Sequence, residues 1–383
     1  MYMRGSGPRF MIRRIIQAIA PLVTLIALVF ATSAVEHARK GSGTFLKPEN
    51  LINILQQSAA VGILALGMTL VIILGGIDLS VGSLTALAGG IGVWVMNTVI
   101  GAADLLAQMK DAQDNDLPMP VSAFRAALAH GAIHLHIDGS EWTGALLGIA
   151  TMLAVGLVAG WINGVLISRG KIAPFITTLG GLAAYRSLAL AIADGGSFES
   201  QSQMVLPALG GGLAIPGVQI GPGLPLTVPY SVIIMFLLAG VLGVLLNRTR
   251  YGRYVIAIGC NERAARYSAI DVRRIKLLTY VLSGLLCGIA ALTLASRNGS
   301  IASSSTGTLF ELDAIAAVVI GGTRMQGGSG SIVGTLVGVA ILGVIGSMLN
   351  FLDVSPYLQG LVKGIIIVAA VLLQRVGRSK EEA

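Results

Sequence analysis

Charge is the scarcest thing in this sequence. Of its 383 residues only 11% are Asp, Glu, Lys or Arg, against about 25% in a soluble globular protein. Apolar residues make up 54% and mean hydropathy is +0.82. A chain so poor in charge is a polytopic membrane protein. There are only two cysteines, Cys260 in a basic loop and Cys287 in an apolar run. Neither reads as half of a disulfide or as a zinc ligand. No H-E-x-x-H, G-x-S-x-G or Cys–His pair occurs, so no catalytic constellation is present. G-x-x-x-x-G-K-[ST] is missing too: Lys171 follows Gly170 but is followed by Ile172. No basic–aromatic pattern marks nucleic-acid contact. Carboxylates are missing from the middles of the apolar runs. A proton- or sodium-coupled carrier usually buries them there.

What is abundant is glycine, 51 residues, which permits close helix packing and helix breaks in lipid. Ten apolar runs read as membrane spans, near 15–35, 50–74, 83–100, 142–167, 173–193, 229–247, 277–296, 309–323, 331–350 and 357–374. The first mimics a signal peptide, with Arg4, Arg9, Arg13 and Arg14 ahead of it and Thr32-Ser33-Ala34 near its end. At about 21 residues it has the length of a span and is read as an uncleaved first helix. An even number of spans places both termini on one side. On that assignment the cytoplasmic segments hold 18 of the 26 basic residues, the outer segments hold six, and Arg186 and Lys363 fall within spans. The bias puts both termini in the cytoplasm, and the net charge of +8 suits contact with anionic lipid. The chain then divides into a tail at 1–14, one transmembrane domain at 15–374 and a tail at 375–383. Within the domain lie an outer insert at 101–141 and a cytoplasmic loop at 248–276.

That loop contains NRTRYGRYVIAIGCNERAARYSAIDVRRIK and eight of the basic residues. Asn261 is placed to cap a short helix with Glu262 at its positive end. Such a helix is a surface for another protein to push on, or simply a basic loop that sets orientation. In LGGIDLSVGS, Gly75 and Gly76 release one helix, and Asp78 and Ser80 are placed to cap the next. The turn is either a well-capped reversal or one whose Asp also meets a partner. In FELDAIAAVVIGGTRMQGGSGS, Glu311 and Asp313 stand at a span's outer end, where charge must be solvated or paired. Ala314, Ala316, Ala317, Gly321 and Gly322 give that helix a narrow side, and Gly327, Gly328 and Gly330 form a loop. The outer stretch Ser197–Pro229 is rich in Gly and Pro and reads as an ordered cap or loop. His130, His134, His136, Asp138 and Glu141 do not share one face of any element, so no metal site is expected. GWINGVLISRGKIAPFITTLG and GSMLNFLDVSPYLQG form a weak repeat around Asn163 and Pro174 and around Asn350 and Pro356. Their turns fall on opposite sides, the pattern of an inverted repeat or of two similar Gly-rich pairs.

From Thr44 onward the chain resembles the permease subunit of bacterial ABC importers for monosaccharides, the ribose/xylose/galactose group. The resemblance rests on TFLKPENLINILQQSAAVGILALGMTLVIILGGIDLSVGS, GWINGVLI, APFITTLG, TRYGRYVIAIGCNERAARYSAIDV and ELDAIAAVVIGGT followed by GGSGSIVGT. It implies an all-α, ten-helix, vitamin B12-importer-like fold with an inverted repeat, in the bacterial inner membrane. It implies a second permease copy, usually identical, cytoplasmic ATP-binding subunits and a periplasmic sugar-binding protein. ATP would be bound by the partner, so the chain itself would be no enzyme and carry no cofactor. The segment Asn261, Glu262, Arg263, Ala264, Ala265, Arg266 to Ser268 looks like the helix that couples to the ATPase. The chain departs from the family at Ala269 and Cys260, both commonly Gly, at Arg324, usually small or polar, and in the long 101–141 insert. Ala269 would need a positive φ there, at a cost of roughly 1 kcal/mol.

A monosaccharide, such as the pentoses ribose and xylose, would need hydrogen bonds along its path and no countercharge. Polar residues of the spans that could supply them are Asn53, Gln56, Gln57, Asn163 and Thr177; packing is the alternative role for each. The rival function is an ion-coupled sugar carrier, disfavoured by the missing carboxylates. A membrane enzyme for lipids would need an interfacial His or carboxylate cluster. An exporter of the same class is disfavoured by the coupling segment.

Overall fold

A computed structural model of the protein describes residues 21–34, 36–37, 45–101, 107, 109–110, 140–221, 224–355, 358–362 and 364–365. The expected tails, most of the 101–141 insert with its three histidines, Pro356 and most of the last span lie outside these residues. The described chain is helical apart from four short strands. Its helices are α1 (Pro21–Ala34), α2 (Pro48–Ile73), α3 (Val81–Ile100), α4 (Glu141–Ser168), α5 (Pro174–Ile192) and α6 (Val205–Gly210). They continue with α7 (Tyr230–Arg248), α8 (Arg250–Cys260), α9 (Glu262–Tyr267), α10 (Val272–Asn298), α11 (Phe310–Ile320) and α12 (Ile332–Phe351). The strands are β1 (Ser197–Glu199), β2 (Gly212–Gly221), β3 (Leu224–Pro229) and β4 (Ser300–Ala302), paired β1–β4 and β2–β3. Among the described residues seven helices are long and apolar enough to cross a membrane: α2, α3, α4, α5, α7, α10 and α12. The chain is a helical, multi-pass membrane protein.

Two compact units share it. One comprises residues 1–78, 214–279 and 309–383, the other 79–213 and 280–308. The first unit is built round α2, which packs on α7, α11 and α12. Leu64 to Ile73 of α2 are all but inaccessible, so this helix is a core element. Gly62 lets Met235 of α7 approach, and Gly338 of α12 lies on the Ala317 carbonyl of α11. Thr69 and Thr335, both buried, share a hydrogen bond of 2.7 Å that links α2 to α12. The expected span at 309–323 is only α11, 11 residues long. That is about 16 Å of helix, half of a bilayer core. The left-handed Leu309 marks its start, and Gly321 and Gly322, the latter at φ +89°, end it short of the expected 323. Glu311 and Asp313 fall in its first turn, where the helix dipole favours negative charge.

In the second unit α3 is the central helix, packed on α4 and α5. Glycines set the spacing between α4 and α10: Gly156 and Gly160 meet Gly284, and Gly288 meets the Met152 carbonyl. A side chain at any of these positions would run into backbone. Two short helices elsewhere in the chain receive the caps that their sequence offers. Thr249 accepts from Gly252 N at the start of α8, and Asn261 from Ala264 N at the start of α9. The described residues of the outer stretch 197–229 form β1, α6 and the paired strands β2 and β3.

Candidate functional site

The loop after α7 folds into two short helices, α9, which the Asn261 cap anticipates, and α8 before it, where the sequence reads as loop. Asn261 leaves α8 with extended backbone, and its Oδ1 accepts from Ala264 N at 3.0 Å. Glu262 then holds two cations. Its carboxylate accepts from Arg266 on the same helix at 2.7 Å and from Lys276 of α10 at 2.8 Å. Partial burial pushes the Glu262 pKa up, but the hydrogen bonds and charges of Lys276 and Arg266 outweigh it and hold the carboxyl below its usual value. Ala265 is buried and seats the helix, while Arg263, Ala264, Arg266 and Ser268 are exposed. Tyr267 is 92% exposed, so a large aromatic ring stands clear of the chain. After it Ala269 takes φ +60°, as the departure from glycine anticipated, and Ile270 N closes back on the Ala265 carbonyl.

The base under this helix is closely packed. Gly259, near the end of α8, lies against the Ile73 carbonyl at the end of α2 and against Gly328 N. Gly328 N donates to that same Ile73 carbonyl at 2.8 Å, and the Cys260 thiol reaches Gly328 O at 3.6 Å. A side chain at Gly259 would collide with both. A force on α9 therefore has a short route to the end of α2 and to the glycine loop at Gly327–Gly328.

The Leu74–Ser80 turn begins as its glycines suggest. Gly75 takes φ +90° and Gly76 N bonds back to Val71 O at 2.9 Å. Asp78 and Ser80 are both buried. Ser80 occupies the N-cap position of α3, but its side chain makes no cap bond. That hydroxyl accepts instead from Asn163 Nδ2 at 3.0 Å. Asn163 Oδ1 in turn accepts from the Tyr185 hydroxyl at 3.0 Å. Asn163 thus fastens α3, α4 and α5 together inside the second unit. Thr177, also in that unit, is buried, and its hydroxyl has no partner among the described residues. Asn53, Gln56 and Gln57 belong to the first unit. At i, i+3 and i+4 they share one face of α2, with Asn53 and Gln57 exposed and Gln56 half-buried.

Two polar residues do work that the sequence did not disclose. Glu141 accepts from Ser202 Oγ, Met204 N and Val205 N at 2.6–2.8 Å, anchoring the start of α6. Arg186, on α5, donates from Nη1 to the Ser303 carbonyl at 2.7 Å and so bonds inside the protein. Both bridge residues over 60 positions apart, and no local spacing signals such pairs. Among the described residues no group of His, Cys, Asp and Glu could hold a metal ion.

Sequence comparison then decides the family. Residues 50–371 match the family model described as "Branched-chain amino acid transport system / permease component". The ribose import permease protein RbsC of Bacillus subtilis is 39% identical over 361 residues, 94% of each chain. The chain belongs to the ABC-importer permeases for monosaccharides. RbsC of Escherichia coli is 34% identical across 96% of this permease and 97% of its own length. The xylose transport system permease protein XylH of E. coli is 31% identical across 86% of this permease and 85% of its own. No solved structure matches the permease.

Proposed function

We propose that this permease carries a pentose, ribose or xylose, across the bacterial inner membrane, driven by ATP hydrolysed on a separate cytoplasmic subunit. The relatives named above are a ribose import permease and a xylose transport system permease, and the likeness spans most of this chain's length. In this reading the permease has ten spanning segments in a vitamin B12-importer-like fold, with both termini in the cytoplasm. It works as a homodimer, takes sugar from a periplasmic binding protein and carries no catalytic residue or cofactor of its own. Asp78 and Ser80 lie at the turn on the cytoplasmic side.

The observation that carries the proposal is α9, capped by Asn261, tied to α10 through Glu262–Lys276 and presenting Arg263 and Tyr267 outward. Closure of the ATPase would press on this face. The load would pass through Gly259 to the end of α2, and the two permease copies would rock between outward- and inward-open states. Glu262 is a poor residue for testing this, because its replacement also breaks the tie to Lys276. Arg263→Glu with Tyr267→Ser changes only exposed groups, a cost usually below about 0.5 kcal/mol. The pair should leave expression and dimerisation intact. It should abolish sugar uptake and the stimulation of ATPase activity by loaded binding protein. Wild-type stimulation and uptake from the double variant would remove α9 from the mechanism.

A further inference from the structure

One stretch of non-helical backbone lies within the helix layer of the second unit. α10 ends at Asn298, and Gly299, at φ +65°, turns the chain back. β4 then runs antiparallel to β1, with Ile301 opposite Phe198. These two side chains seat on neighbouring notches of α3. A Cβ on Gly90 would stand 2.5 Å from the Phe198 ring, and one on Gly89 would stand 3.0 Å from Ile301. Gly89 and Gly90 are the ninth and tenth residues of the 20 in α3, halfway along a membrane-length helix. Farther on, Gly307 packs on Gly82, the second residue of the same helix. Residues 301–307 therefore descend beside half of α3, about 10 Å at the helical rise.

Such backbone is tolerated at membrane depth only where it is buried in protein or lines a water-filled cavity. The two sides of this segment differ in that respect. Ser303 is fully buried: its hydroxyl donates to the Gly196 carbonyl at 2.6 Å, and its carbonyl accepts the Arg186 guanidinium. Thr306 Oγ1 accepts from Ala302 N at 3.0 Å and pins the turn. On the other side Ser304, Ser305 and Thr308 are exposed. The Thr308 hydroxyl donates to Ser304 O at 3.3 Å, and the Ser304 and Ser305 hydroxyls have no partner among the described residues. Exposed hydroxyls and carbonyls at this depth need a polar neighbour.

We infer that the open side of residues 303–308 lines the sugar's path along the first half of α3, between its midpoint and its Ser80 end, Ser304, Ser305 and Thr308 offering hydroxyls to the passing monosaccharide. A neutral polyol exchanges hydrogen bonds with such a lining and meets no charge, because Arg186 is turned onto the backbone as a clamp. The inference rests on the sugar-import reading above.

The test uses the complete importer in liposomes, with Cys260→Ser and Cys287→Ala as background. Ser304→Cys and Ser305→Cys should each react with a small charged methanethiosulfonate in the assembled complex, and the reaction should block ribose or xylose uptake. Ser304→Leu with Ser305→Leu should lower uptake at least tenfold while assembly and binding-protein-stimulated ATPase persist. Ser304→Thr with Ser305→Thr, which keeps both hydroxyls, should stay within twofold of the parent. If the leucine pair fails to assemble, the near-isosteric single cysteines decide. Parental uptake by the leucine pair would overturn the inference and leave the import reading standing. So would cysteines that react in isolated permease but not in the complex, since a second copy would then cover this face. A parent complex that moves neither sugar would remove both readings together.

Discussion

Ala269 shows how far a single residue could be read in advance. A residue directly after a short helix is where a left-handed turn falls, and Ala269 sits at φ +60°. The left-handed conformation costs an L-residue about 1–2 kcal/mol, while glycine's freedom in the unfolded chain returns about 0.4–1 kcal/mol of that. Ala269→Gly should therefore stabilise the purified permease by about 0.5–1 kcal/mol, seen as a higher thermal midpoint; a lower midpoint would contradict the strain. Glu262 gives a pH dependence. Its folded pKa is lowered, so its contribution is complete above the unfolded carboxyl value and is lost as pH falls through the folded one. Between pH 7 and 5 the tie to Lys276 should hold; below about pH 4 it should weaken. Glu262→Gln should match the wild type in thermal midpoint at pH 3 and fall below it at pH 7. An equal gap at both pH values would remove the ion pairs as its cause.

At the scale of elements, glycine decides where helices meet. Gly284 of α10 lies on the backbone of Gly156 and Gly160 in α4, with no room for a side chain. Gly284→Val should cost at least about 1–3 kcal/mol and lower the yield of folded permease. Unchanged yield and thermal midpoint would mean that the helices part without cost. Long apolar helices were legible because composition and length suffice to find them, and the Asn261 cap was legible because its signal is local. The span expected at 309–323 was not. Its apolar run, 309–323, is already short of the roughly 17–25 residues that cross a bilayer, and only 11 of them wind into helix before the Gly321-Gly322 pair. Ser80 misled for a related reason: a residue suited to capping was claimed by Asn163, 83 positions away. Asn163, one of the residues the sequence offered for the sugar path, bonds Ser80 and Tyr185.

At the scale of the whole molecule, charge and chemistry make separate claims. The basic bias predicts that a cysteine at Asp271 is labelled only from the cytoplasm and one at Asp114 only from outside. Labelling from both sides at either position would break the ten-span topology. The central claim is energetic: sugar movement takes its free energy from ATP on a partner. The most direct measurement is uptake of radiolabelled ribose and xylose into liposomes holding the permease and its ATP-binding subunit, with binding protein outside and ATP within. Accumulation of one of the two should require hydrolysable ATP and binding protein, and persist when ionophores collapse the proton and sodium gradients. Uptake that follows an ion gradient and continues without ATP would contradict the account.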